Sequence, residues 1–74
     1  MNSAQNQLIQ LQVNGKAQHC SAETSLPTLL KQLGLNPRLI AIEYNGEILH
    51  RQFWPMTQMQ NGDRLEIVTI VGGG

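Results

Sequence analysis

The residues best placed to do chemistry are the last three, Gly72-Gly73-Gly74, which follow directly on the β-branched run Leu65-Glu66-Ile67-Val68-Thr69-Ile70-Val71. Three glycines pack no core and carry no acid, base or nucleophile, so their useful property is thinness. Fully extended they reach about 10 Å, at roughly 3.3–3.6 Å per residue, and could thread a channel too narrow for any side chain. The group delivered would be the α-carboxyl of Gly74, whose reference pKa of about 3.3–3.7 leaves it ionised near neutral pH. A carboxylate is a poor acyl donor, because its oxygen leaves badly and its charge repels nucleophiles. It must be activated by another reactant before its acyl group can be transferred. The tail therefore reads as an acyl group offered to another protein's active site. Gly72 and Gly73 would matter by shape, since a Cβ at either would obstruct the channel.

The other reactive side chains carry less. Cys20 is the one cysteine and can form no internal disulfide, which suits a reducing, cytoplasmic setting. With no base nearby in sequence it reads as a small packing residue. His19 and His50 match no metal-ligand spacing with it, so no metal site is expected. Five basic and five acidic side chains give a formal net charge of zero and no basic footprint, which argues against nucleic acid and anionic membranes as partners. Lys16, Lys31, Arg38, Arg51 and Arg64 are scattered, and solvated surface is the default for each. No apolar run approaches membrane-spanning length, and the polar stretch 1–7 lacks the apolar segment of a secretory leader. Seventy-four residues make room for one small core.

The elements that would hold the tail follow from periodicity. Residues 8–13 alternate, with Ile9, Leu11 and Val13 on one side, and Asn14-Gly15 then supplies the positive φ angles of a type I′ turn into a second strand over 16–20. Leu26, Leu29, Leu30 and Leu33 fall at i, i+3, i+4 and i+7, one stripe of a helix. Ser25 is placed to cap it, Pro27 fits its first turn and Gly34 its left-handed end. Residues 39–44 alternate again, Asn45-Gly46 turns the chain, and 47–49 return as a short strand. Over 50–60 no period holds, and Phe53, Trp54, Met56 and Met59 are expected as apolar anchors of a loop or helical turn over the open end of the core. Asn61-Gly62-Asp63 leads into the final strand, on which Leu65 and Ile67 share one face and Glu66, Val68 and Ile70 the other. The expected fold is α+β: a mixed sheet of four to five strands with one main helix across one face. The first and last strands should lie side by side and parallel in its interior. Three segments result: a flexible lead-in at 1–7, a folded domain at 8–71 and a flexible tail at 72–74. If the helix covers the Ile9, Leu11, Ile40 and Ile42 side, Ala41, Glu43, Val68 and Ile70 lie on the other and form a candidate docking face.

In this order the pieces resemble the ubiquitin-like β-grasp and, within it, the ThiS family of sulfur carriers of thiamine biosynthesis. The resemblance rests on Asn14-Gly15, Ser25-Leu26, Leu29-Leu30, Leu33-Gly34-Leu35, Asn45-Gly46-Glu47-Ile48, Arg51, Trp54, Asn61-Gly62-Asp63, Leu65-Glu66-Ile67-Val68 and Val71-Gly72-Gly73-Gly74. Pro27, in place of the usual helix former, and the long lead-in depart from the pattern without touching the tail. The resemblance implies a protein cosubstrate, not an enzyme, with no permanently bound cofactor. An E1-like adenylyltransferase of ThiF type would adenylate Gly74 at the expense of ATP. A persulfide derived from a cysteine desulfurase would convert it to a thiocarboxylate. A ThiG-type thiazole synthase would then take the sulfur. A monomer is expected for the protein alone. The small subunit of molybdopterin synthase and a ubiquitin-like protein modifier share the fold and the first step, and stand as alternatives, as does a plain β-grasp interaction domain whose glycine tail is a frayed, inert terminus.

Overall fold

The alternation and the leucine stripe resolve into five strands and one α-helix: β1 (Leu8–Val13), β2 (Lys16–Ser21), α1 (Leu26–Gln32), β3 (Ile40–Tyr44), β4 (Glu47–Ile48) and β5 (Arg64–Thr69). Two 3₁₀ segments, Pro37–Leu39 and Arg51–Met56, lead into β3 and follow β4. The structure, a computed structural model, describes residues 7–70. The glycine tail, and the lead-in except for Gln7, lie outside the described residues.

The strands form one mixed sheet in the order β2-β1-β5-β3-β4. β1 and β5 are parallel, with Gln12 beside Arg64 and Val13 beside Leu65, while the remaining pairs are antiparallel. The last strand of the chain is thus the middle strand of the sheet. Register puts Leu65 and Ile67 of β5 opposite Tyr44 and Ile42 of β3, so their side chains share the helix-covered face. Leu11, Ile40, Ile42, Leu65 and Ile67 there join Leu26, Leu29 and Leu30 of α1 in one buried core, together with Val13, Cys20, Trp54 and Met59. Fully burying each leucine is worth roughly 1.5–3 kcal/mol, which is what holds so short a helix on the sheet.

The helix ends are built as the sequence implies. The Ser25 hydroxyl accepts from the Thr28 amide at 3.3 Å, and Pro27 sits where a missing N–H leaves nothing unpaired. Gly34, at φ 74°, closes the other end, its amide bonded to the Lys31 carbonyl and that of Leu35 to the Leu30 carbonyl, both at 3.0 Å.

The stretch 50–60 corrects one expectation. Trp54 and Met59 are buried, but Phe53 and Met56 are 42% and 70% exposed and anchor nothing. The reason lies in the 3₁₀ geometry. With about three residues per turn, positions three apart stack on one ridge, so Phe53 and Met56 share an outward ridge while Trp54 takes an inward one.

Candidate functional site: the end of the central strand and the outer sheet face

The described residues nearest in sequence to the glycine tail are those of β5 and Ile70 after it, and their backbone is held from both sides. Backbone groups of β5 alternate between its two neighbours. Toward β3 point the Arg64 carbonyl, accepting from the Asn45 amide at 2.8 Å, and the Ile70 amide, donating to the Leu39 carbonyl at 2.6 Å. Toward β1 point the carbonyls of Asp63 and Leu65, accepting from Gln12 and Asn14 at 2.9 and 2.8 Å.

β1 gives way to its turn after Val13, and there a side chain takes over the ladder. The Asn14 amide group behaves as a peptide bond in miniature: Oδ1 accepts from the Ile67 N–H at 2.7 Å and Nδ2 donates to the Ile67 carbonyl at 3.1 Å. Asn14 holds a left-handed φ of 52° in the expected turn, so one residue both reverses β1 and grips β5. Asn45, in the second Asn-Gly turn at φ 53°, does the same at the other end, its Oδ1 accepting from the Arg64 N–H at 2.8 Å. Composition and spacing give the turns and are silent on these long-range bonds.

Asp63 completes the grip at the start of β5. It is buried, and its carboxylate accepts from the Tyr44 hydroxyl, from Asn45 Nδ2 at 3.1 Å and from the Gln60 amide at 2.8 Å. Partial burial, then the hydrogen bond to Asp63 and its negative charge, hold the Tyr44 hydroxyl well above the usual phenol range.

Arg51 corrects the expectation of a merely solvated cation. Its guanidinium donates to the Pro37 carbonyl and, at 3.2 Å, to the Ile40 carbonyl, and lies 4.6 Å from the ring centroid of Trp54. Trp54 is fixed in turn by its indole N–H, which donates to the Leu49 carbonyl at 2.9 Å. The two carbonyls held by Arg51 flank Leu39, the residue that receives the Ile70 amide.

The expected docking residues do share the outer face of the sheet. Val68 and Ile70 are exposed, Glu43 is exposed and Ala41 is half-buried. Ala41, Glu43 and Val68, with Ile42, Ile48 and Glu66, line a groove of about 580 Å³. Sequence reasoning missed Ile48, which is 68% exposed and pairs with Glu43 across β3 and β4. Glu43 and Glu66 stand directly opposite one another on β3 and β5. Arg64, two residues before Glu66, lines a separate groove with Gln10, Gln12 and Asn61 on the β1 side. The face therefore combines apolar surface with a cross-strand pair of like charges, an arrangement that costs roughly 0.2–1 kcal/mol unless a cation joins it. Gly72, Gly73 and Gly74 lie outside the described residues.

Helix over mixed sheet, with β1 and β5 parallel in the middle and the chain leaving from β5, defines a ubiquitin-like β-grasp protein. Comparison narrows the class. The family model for the ThiS family matches residues 11–74, and the chain belongs to that family. It is 42% identical over 69 residues to the uncharacterized protein ycf40 of Porphyra purpurea, covering 93% of this chain and 97% of the relative. It is 36% identical over 66 residues to a thiazole synthase of Paramagnetospirillum magneticum, covering 89% of this chain but 20% of that longer protein. The crystal structure of a thiamine biosynthesis protein (ThiS) from Geobacter metallireducens superposes with a TM-score of 0.77 at 30% identity, covering 89% of this chain and 100% of that one.

Proposed function

We propose that this protein carries sulfur for thiazole formation in thiamine biosynthesis, as a thiocarboxylate on Gly74. Membership of the ThiS family carries the reading. A partner adenylyltransferase joins the Gly74 carboxylate to the AMP of ATP with release of pyrophosphate. The outer sulfur of a protein persulfide displaces AMP to give an acyl disulfide, and a second cysteine thiol cleaves its S–S bond, leaving the Gly74 thiocarboxylate and a disulfide on the donor. The protein is a cosubstrate: it brings a rigid body and an acyl group, while acid, base and metal chemistry belong to the enzyme. Thiazole synthase is the sulfur acceptor. A segment similar to this chain forms 20% of the Paramagnetospirillum magneticum thiazole synthase, which supports a working association between the two activities.

The outer face is the grip for the activating enzyme. Val68, Ile70, Ala41 and Ile48 supply apolar area, and Glu43 with Glu66 favours a partner that sets a basic side chain between them.

Intact mass tests the proposal. Purified chain incubated with a ThiF-type adenylyltransferase, ATP and a persulfide donor should show the oxygen-to-sulfur increment at its C-terminus. Deletion of Gly74 should abolish the increment while the urea midpoint followed by Trp54 fluorescence stays at the parent value. Normal loading of the deletion variant would overturn the proposal, and higher-mass conjugates in its place would mark a protein modifier instead.

A further inference from the structure

The same alternation that locks β5 leaves one residue unserved. Odd-numbered residues of β5 turn their backbone groups toward β1: Asp63 and Leu65 meet β1 itself, and Ile67 meets the Asn14 side chain. Thr69 is the next in that series, and β1 has already turned away. Among the described residues nothing bonds the Thr69 N–H or carbonyl on that side, although Thr69 still sits beside Ile40 in the β3 register. The central strand thus becomes an edge strand at its last turn of the pleat, immediately before the residues that lead to Gly74.

An edge of one donor and one acceptor, unpaired among the described residues, is too short to invite aggregation, yet it is a ready template for one more strand. We infer that the adenylylating partner docks an extended segment of its own backbone against the Thr69 edge, pairing with the Thr69 N–H and carbonyl. The inference rests on the function proposed above. The tail itself argues for this occupant. Glycines present no side chain to be recognised, so the register of Gly74 in a channel has to be set upstream, and main-chain pairing at Thr69 sets it without regard to sequence. Five residues separate Thr69 from the carboxylate of Gly74, a span of at most about 18 Å at roughly 3.3–3.6 Å per residue. A slip of one residue at Thr69 would turn the following backbone groups to the opposite side.

Amide hydrogen exchange on the full chain tests it. In the free protein the Thr69 amide should exchange rapidly while that of Ile70, bonded to Leu39, exchanges slowly. In the complex with ThiF-type adenylyltransferase and ATP, the Thr69 amide should slow at least tenfold. Thr69→Pro, which removes an N–H that no described residue uses, should raise KM for adenylation about tenfold, and Thr69→Ala, which keeps the N–H, should leave it near the parent value. Unchanged Thr69 exchange in the saturated complex overturns the inference, whether or not Thr69→Pro folds. Protection that grows with protein concentration in the absence of enzyme assigns the edge to a second copy and also overturns it. Sulfur loading measured by mass on the same sample reports separately on the carrier function, so the edge can fail while the function stands.

Discussion

Asn14 and Tyr44 show how single side chains set the tension of the central strand. Asn14 makes two hydrogen bonds to Ile67 while occupying a left-handed turn position. Asn14→Gly keeps that conformation free of strain and deletes only the bonds, so it isolates the grip from the turn. The expected loss is about 1–3 kcal/mol, the cost of leaving buried or half-buried backbone groups of Ile67 unpaired, read from urea unfolding followed by the single tryptophan. Tyr44 gives a pH signature instead. Its folded hydroxyl is held above the unfolded value of about 10, so the folded state keeps a proton that the unfolded chain gives up. That contribution is complete below pH 10 and is lost as pH rises toward the folded value. Stability should therefore fall as pH climbs above about 10, and Tyr44→Phe should remove that part of the slope. Because Tyr44 is the one tyrosine, phenolate absorbance reads its titration directly.

Between elements, what matters is how the segments around the sheet fix the ladder that ends at Ile70. Arg51 on one 3₁₀ segment holds carbonyls of Pro37, in the other, and of Ile40, at the head of β3. Lysine keeps the charge but cannot span two carbonyls with a planar fork. Arg51→Lys should speed exchange of the Ile70 amide several-fold more than that of Ile67, whose partner is on the other side. Equal acceleration of both would show that only global stability had changed. None of this was legible in the chain. Arg51 lies 14 residues from Pro37, and Asn14 lies 53 residues from Ile67. Periodicity reports which face a residue takes, not which distant carbonyl it meets. The strands, the Asn-Gly turns and α1 were legible because two-residue alternation, the i, i+3, i+4, i+7 leucines and the Ser25 and Gly34 caps are local signals that agree with one another. In the stretch 50–60 the helical turn and the buried Trp54 and Met59 were legible, but a three-residue period over six residues is too short to tell from noise, so Phe53 and Met56 were misjudged.

For the whole molecule, stability and the proposed docking role pull on the same face in opposite directions. The outer face sets Glu43 against Glu66 in register, a repulsion the free protein could relieve by losing either charge. An arrangement that weakens the fold and borders an apolar groove is explained if its counter-charge comes from the docked enzyme. Glu66→Gln preserves shape and β-register while halving the pair. In the free protein it should raise stability by roughly 0.2–1 kcal/mol. In the loading reaction it should do the reverse, raising KM for adenylation and flattening the dependence of KM on salt, because the cation it would have met now gains less and surface charges are screened within about 10 Å at 0.1 M salt. On the proposed function kcat should stay close to the parent value, since there Glu66 belongs to the gripping face and the chemistry to Gly74. A variant that is more stable and yet equally well loaded at every salt concentration would mean that the acidic pair faces water in the complex, and that Val68, Ile70 and Ile48 make the contact without it.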